Sequence, residues 1–227
     1  MKFLLNAYPK SGSQTYANVL RRAIRQIRKE NHSELPEKED WIICQYDPIV
    51  HLGNFGNDVI KISILRDPVD AITINTERHF KGFLGKQING VGLVDVDGNV
   101  VDSKNTLTQQ DKEFIDHQIE RYNSYINCLL LNIDNIVCLT NDQIKKETLN
   151  CTKNILFMAG IDYLKLPANN LQGSIVDNIK FHPFSAKIKE YVFEKNQGIE
   201  NYLKAMDFVR EKQEKYHIPM QAKIQDK

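Results

Sequence analysis

The chain reads as an α/β protein, a parallel sheet flanked by helices on both faces, with a small hairpin insertion. Three observations predict this. Short apolar runs alternate with longer segments of helical periodicity. The run Val59–Leu65 is apolar except at Lys61 and Ser63, as suits a parallel strand covered over most of both faces. Two turns, Tyr8–Gly12 and Arg66–Pro68, each stand where an apolar run passes into a helical segment. Open α/β sheets bind their ligands along that edge.

The elements follow in order. Phe3-Leu4-Leu5 is the first strand run. Tyr16, Val19, Leu20, Ala23, Ile24 and Ile27 then form a helical stripe up to about Glu30, with Arg21, Arg22, Arg25 and Arg28 toward solvent or a flank. Asn31–Asp40 is a polar loop containing Pro36. Trp41–Cys44 is a short buried strand and Val59–Leu65 the next. Asp67 is placed to cap a helix from about Val69 to Phe80, with Pro68 at its start. Residues 81–107 are glycine-rich and read as an insertion or lid, with a hairpin around Asp97-Gly98. Asp95 and Asp97 lack the further ligands of a calcium loop.

Thr108 and Asp111 resemble a capping box for a helix running to Leu131. Ile136–Leu139 is a further strand. Asn141-Asp142 is expected to cap one helix, about Gln143 to Ala159, closed by Gly160. Pro183 starts a helix to about Glu194, and a last helix spans about Ile199 to Tyr216.

At 227 residues, a single domain over 1–217 with a flexible tail at 218–227 is expected. A net charge of +1 gives no global field for nucleic acid or anionic membrane. No apolar run approaches the ~20 residues of a membrane span, and Met1-Lys2 opens no signal peptide. Cys44, Cys128, Cys138 and Cys151 have no paired short spacing, so they read as buried, reduced thiols of a cytoplasmic protein with no metal site.

The stretch Asn6–Thr15 is built to receive an anion. Ser11, Gly12 and Ser13 let a ligand approach the backbone, a helix opens beyond them, and Lys10 adds positive charge. A nucleoside-triphosphatase loop needs Gly-Lys-Ser/Thr after four spacers. Here Lys10 precedes Ser11-Gly12 and no glycine comes before it. The order Tyr8-Pro9-Lys10-Ser11-Gly12 instead resembles the 5′-phosphosulfate loop of sulfotransferases, P-loop-type α/β enzymes whose sulfuryl donor is 3′-phosphoadenosine 5′-phosphosulfate (PAPS). Ser13-Gln14-Thr15 departs from the usual continuation, Thr/Asn-Thr-Trp.

A second stretch, Ile62–Asp70, resembles the segment that holds the donor's 3′-phosphate in that family: Arg66, Asp67, Pro68 and Asp70 fit. Ile74 stands where the family has a helical serine, with Thr73 or Asn75 as the available substitutes. A third, weaker likeness runs over Ile136–Gly160. The resemblance implies sulfuryl transfer to a hydroxyl or amine of a small-molecule or glycan acceptor, releasing adenosine 3′,5′-bisphosphate (PAP). It implies that Lys10, Ser11, Gly12, Ser13, Gln14 and Thr15 hold the phosphosulfate, that Lys10 neutralises the leaving oxygen, and that Arg66 and Thr73 hold the 3′-phosphate. No metal is implied.

The general base is open. Tyr46 occupies the place of the family's histidine, and an unperturbed phenol at ~10 is a poor base near neutrality. Asp47 and His51 lead, with Glu77 and His79 further along. Two alternatives stand beside the transferase: a non-catalytic nucleotide-binding relative, and a nucleotide kinase, which the letter order at Lys10-Ser11-Gly12 disfavours.

Overall fold

The computed structural model describes residues 2–31, 41–45, 55–56, 58–83, 93–94, 100–101, 107–132, 136–161, 183–195, 200, 202–208 and 211. Strands β1 (Lys2–Asn6), β2 (Trp41–Gln45), β3 (Val59–Leu65) and β6 (Val137–Thr140) form one parallel sheet in the order β2-β1-β3-β6. Helices α1 (Ser13–Asn31), α4 (Asn141–Lys146) and α5 (Thr148–Met158) cover one face. Helices α2 (Pro68–Phe83), α3 (Gln109–Asn132) and α6 (Pro183–Lys195) cover the other, as does the helical stretch 202–208. The α/β expectation is therefore met.

The strand alternation makes the two cores. Phe3 and Leu5 of β1, with Ile62 and Ile64 of β3, pack among Tyr16, Leu20, Ile144 and Ile155. Leu4 and Leu65 point the other way, among Ala71, Ile115, Tyr122 and Ile188. With both faces covered, the central strands need apolar residues at nearly every position. From β1 the chain crosses over α1 to β2. From β3 it crosses over α2 and α3 in the opposite direction to β6. The gap between the carboxyl ends of β1 and β3 is thus a topological switch point.

Several local expectations hold. The Asp67 carboxylate accepts the Asp70 N–H at 3.1 Å. Thr108 and Asp111 bond reciprocally, Asp111 N–H to Thr108 Oγ1 at 3.2 Å and Thr108 N–H to Asp111 Oδ2 at 2.9 Å. Gly160 (φ +69°) closes α5: its N–H reaches Phe157 O and the Ile161 N–H reaches Leu156 O, both at 2.9 Å. The hairpin is present, β4 (Leu93–Val94) pairing antiparallel with β5 (Val100–Val101). Its turn lies outside the described residues, as do the tail 218–227 and most of 81–107.

Three readings are corrected. The cap of α4 is Thr140, in a box with Gln143, rather than Asn141-Asp142. The single helix expected over 143–159 is two, broken at Glu147. Glu147 leaves helical geometry there, at φ −129° and ψ 36°. Arg21, by contrast, takes the flank position open to it: it donates to Ile42 O at 3.1 Å and ties α1 to β2. The cysteines, read as buried, are corrected too: all four are free, but only Cys151 is buried, and Cys44, Cys128 and Cys138 are half-buried. No helix among the described residues is long and apolar enough to cross a membrane.

Tyr8, Tyr16, Tyr122 and Tyr125 are buried, and burial raises each phenol above its ordinary range. A raised folded pKa means that the fold holds the proton more tightly than the unfolded chain does. The stability so contributed is complete below the unfolded value near ~10 and is lost as pH rises beyond it. In a spectrophotometric phenolate titration these four tyrosines should stay silent until circular dichroism reports alkaline unfolding. Smooth ionisation of all nine tyrosines with the fold intact would refute this.

Candidate functional site

The loop after β1 begins with a turn closed by Ser11 N–H to Tyr8 O at 3.2 Å. Pro9 takes its second position, which proline pre-sets, and Lys10 its third, with φ +69°. Glycine or asparagine normally fills that left-handed position, because a β-carbon there costs about 1–2 kcal/mol. Gly12 follows at φ +95°. Its carbonyl accepts the Tyr16 N–H at 3.0 Å, so Gly12 is the residue that caps α1. It has no side chain with which to fill the helix end, and the first turn of α1 carries no acidic residue. The opening N–H groups, at Ser13, Gln14 and Thr15, have no acceptor within the helix, and the helix dipole is positive there.

Around this opening the side chains differ. Ser11 is fully buried, and its Oγ has no hydrogen-bond partner among the described residues. Ser13 is buried, Lys10 and Thr15 are half-buried and Gln14 is exposed. Cys44 lies beneath, its Sγ 3.9 Å from Ser13 O, and burial raises its thiol pKa.

Arg66 comes to the same place from the end of β3. It is only 9% exposed, and Nη1 donates to the Lys10 carbonyl at 3.0 Å. Its own carbonyl accepts the Tyr122 hydroxyl at 2.7 Å. The two motifs read separately in the sequence are one assembly. Tyr8 supports it from below: its ring meets Tyr122 edge-on at 5.0 Å, and its hydroxyl donates to Gln118 Oε1 at 3.0 Å.

The helical part of the second motif divides. Asp70 pairs with Lys189 at 2.8 Å and so holds α6. Ile74 is buried. Asn75 donates to Gln118 Oε1 at 2.8 Å, so its amide is taken up beside Tyr8. Thr73 is fully buried, and its Oγ1 has no partner among the described residues. Glu77 is buried. Asp47, His51 and Tyr46 lie outside the described residues, as does the side chain of His79. No group of three or more His, Cys, Asp or Glu that could hold a metal occurs among the described residues.

Asn141 was not expected here. Freed from capping, it sends its carboxamide to the Ser11 carbonyl, Nδ2 to O at 2.9 Å. The sequence did hold a signal: Thr140 and Gln143 stand three apart, as a capping box requires, which releases Asn141.

A scan against family models finds no match, and neither does a search of curated proteins. Among solved structures, the chain is similar to the crystal structure of mouse sulfotransferase SULT7A1 complexed with PAP. The two share 16% sequence identity over 92% of this chain and 88% of that one, with a TM-score of 0.44. The α/β assignment stands on the strand pairing and layer order themselves.

Two stability measurements test the loop geometry. A β-carbon on Gly12 would lie 2.7 Å from Asn141 Nδ2, besides facing the strain of φ +95°. Gly12→Ala should destabilise by about 1–3 kcal/mol in denaturant unfolding, and by less in an Asn141→Ala background. Lys10→Gly should be more stable than Lys10→Ala by about 1 kcal/mol. Equal stability would mean that the left-handed turn is not held in solution.

Proposed function

We propose that the chain is a PAPS-dependent sulfotransferase, moving a sulfuryl group to a hydroxyl or amine acceptor and releasing PAP. The observation that carries this reading is the meeting of Arg66 with the Lys10 turn under the open end of α1. One small volume thereby gathers the backbone of the Lys10 turn, an arginine side chain, a buried serine hydroxyl and open helix N–H groups. A phosphate-bearing donor suits such a volume.

In this reading the N–H groups from Gly12 to Thr15 hold the 5′-phosphosulfate, the Ser11 N–H being taken by Tyr8 O, and Arg66 with Thr73 faces the 3′-phosphate. Transfer is in line. The acceptor oxygen or nitrogen forms its bond to sulfur as the bond from sulfur to the 5′-phosphate oxygen breaks, and the acceptor proton passes to a base, Asp47 or His51. Charge grows on the leaving oxygen, and Lys10 neutralises it. The lysine's backbone strain is consistent with a side chain kept for chemistry. The acceptor is a small molecule or glycan. Four free thiols fit a reducing, cytoplasmic setting.

A second reading, nucleotide binding without transfer, draws on buried Ile74 in the serine's place. Calorimetric titration with PAP and with ATP, paired with labelled-sulfate transfer from PAPS to phenols, sugars and lipids, decides among the readings. PAP should bind in preference to ATP and label should move. PAP binding without transfer to any acceptor supports the second reading, and preference for ATP supports a kinase. Lys10→Ala should reduce turnover by at least about a hundredfold while weakening PAP binding far less. Equal loss of both would reduce Lys10 to an anchor.

A further inference from the structure

Asn141 is 5% exposed and lies at the junction of β6 and α4, where sequence pattern assigns it a cap. Thr140 and Gln143 perform that task. The carboxamide instead spans 130 positions of sequence to donate to Ser11 O at 2.9 Å. It also occupies the space beside Gly12 that a β-carbon would need, 2.7 Å from Nδ2.

The consequence follows from peptide geometry. None of the described peptide bonds is cis, and in a trans peptide the carbonyl and the following N–H point in opposite directions. Holding Ser11 O against Asn141 therefore turns the Gly12 N–H away from Asn141. The same device operates one residue earlier. Arg66 holds Lys10 O, and the Ser11 N–H accordingly faces the other way, to Tyr8 O. Carbonyl oxygens are partial negative charges, and one turned into an anion site would repel the ligand. Two side chains, Arg66 just beyond β3 and Asn141 at the start of α4, thus each hold one of two successive carbonyls of the loop.

We propose that Asn141 is a positioning residue for the donor: it fixes the Ser11–Gly12 peptide so that the Gly12 N–H joins the cradle for the 5′-phosphate end. This rests on the donor-binding reading given above. It adds a residue that none of the loop motifs contains, and it assigns Gly12 two roles, a left-handed backbone and a vacancy for the carboxamide.

The test uses the full chain with Asn141→Ala and Asn141→Asp, thermal melts first establishing a temperature at which each variant is folded. The readouts are the PAP dissociation constant and the hydrogen-exchange rate of the Gly12 amide without ligand. A packing role would make alanine the worse change, since aspartate keeps the shape. A positioning role reverses the order, because an aspartate sets a carboxylate against Ser11 O and beside the ligand. We expect about tenfold weaker PAP binding for Asn141→Ala, a larger loss for Asn141→Asp, and faster Gly12 exchange in both. Unchanged Gly12 exchange, or PAP affinity equal to the parent's in both variants, overturns the inference. So does a larger loss for alanine than for aspartate. If the parent chain itself fails to bind PAP, the donor reading falls, and the Gly12 exchange rates alone then decide whether Asn141 sets the peptide.

Discussion

The guanidinium of Arg66 resting on the carbonyl of Lys10 is the contact on which the site depends. It requires β1 and β3 to be parallel neighbours, in the register that sets Asn6 beside Ser63, so that the residues just beyond them arrive at one level. It requires the crossovers to leave in opposite directions, so that the two loops border a gap. It also requires the apolar alternation of both strands, which drives Leu4 and Leu65 into one core and Leu5 and Ile64 into the other. The hydrophobic layers fix the strands, and the strands bring the Arg66 guanidinium to the Lys10 carbonyl.

Within that frame the loop is held by polar contacts from every side. Tyr122 supports Arg66, Gln118 supports Tyr8, and Asn141 supports Ser11. These are buried groups, for which a missing partner is costly. Satisfied, they make a short irregular segment as well defined as the helices around it. The strain at Lys10 is local and persists because the surroundings leave the chain no other course.

Much of this was legible in the sequence because it is written locally. Val59–Leu65 announces itself by composition, Asp67 and Thr108 by capping chemistry, Gly160 by position. The turns at Lys10 and Arg66 were legible because small residues or a proline coincide there with a strand end. What could not be read was long-range. Arg66 reaching a backbone carbonyl 56 positions away, and Asn141 reaching one 130 positions away, leave no periodic trace. The same limit explains Asn75, a plausible phosphate ligand by spacing that tertiary contact assigns to Gln118. The break at Glu147 was hidden for a different reason: one residue's backbone leaves helical geometry, and helical periodicity runs through it unaltered.

The distance between Ser11 and Asn141 along the chain also bears on how the molecule is made. Translation delivers domains from the amino end at roughly 5–20 residues per second. The lysine turn leaves the ribosome among the earliest segments, whereas its amide brace belongs to the β6–α4 corner. β1, α1 and β3 can assemble beforehand, but the loop acquires its final peptide orientation only after that corner docks. A nascent chain arrested ahead of Asn141 would carry the Lys10 turn without the amide that reaches its Ser11 carbonyl.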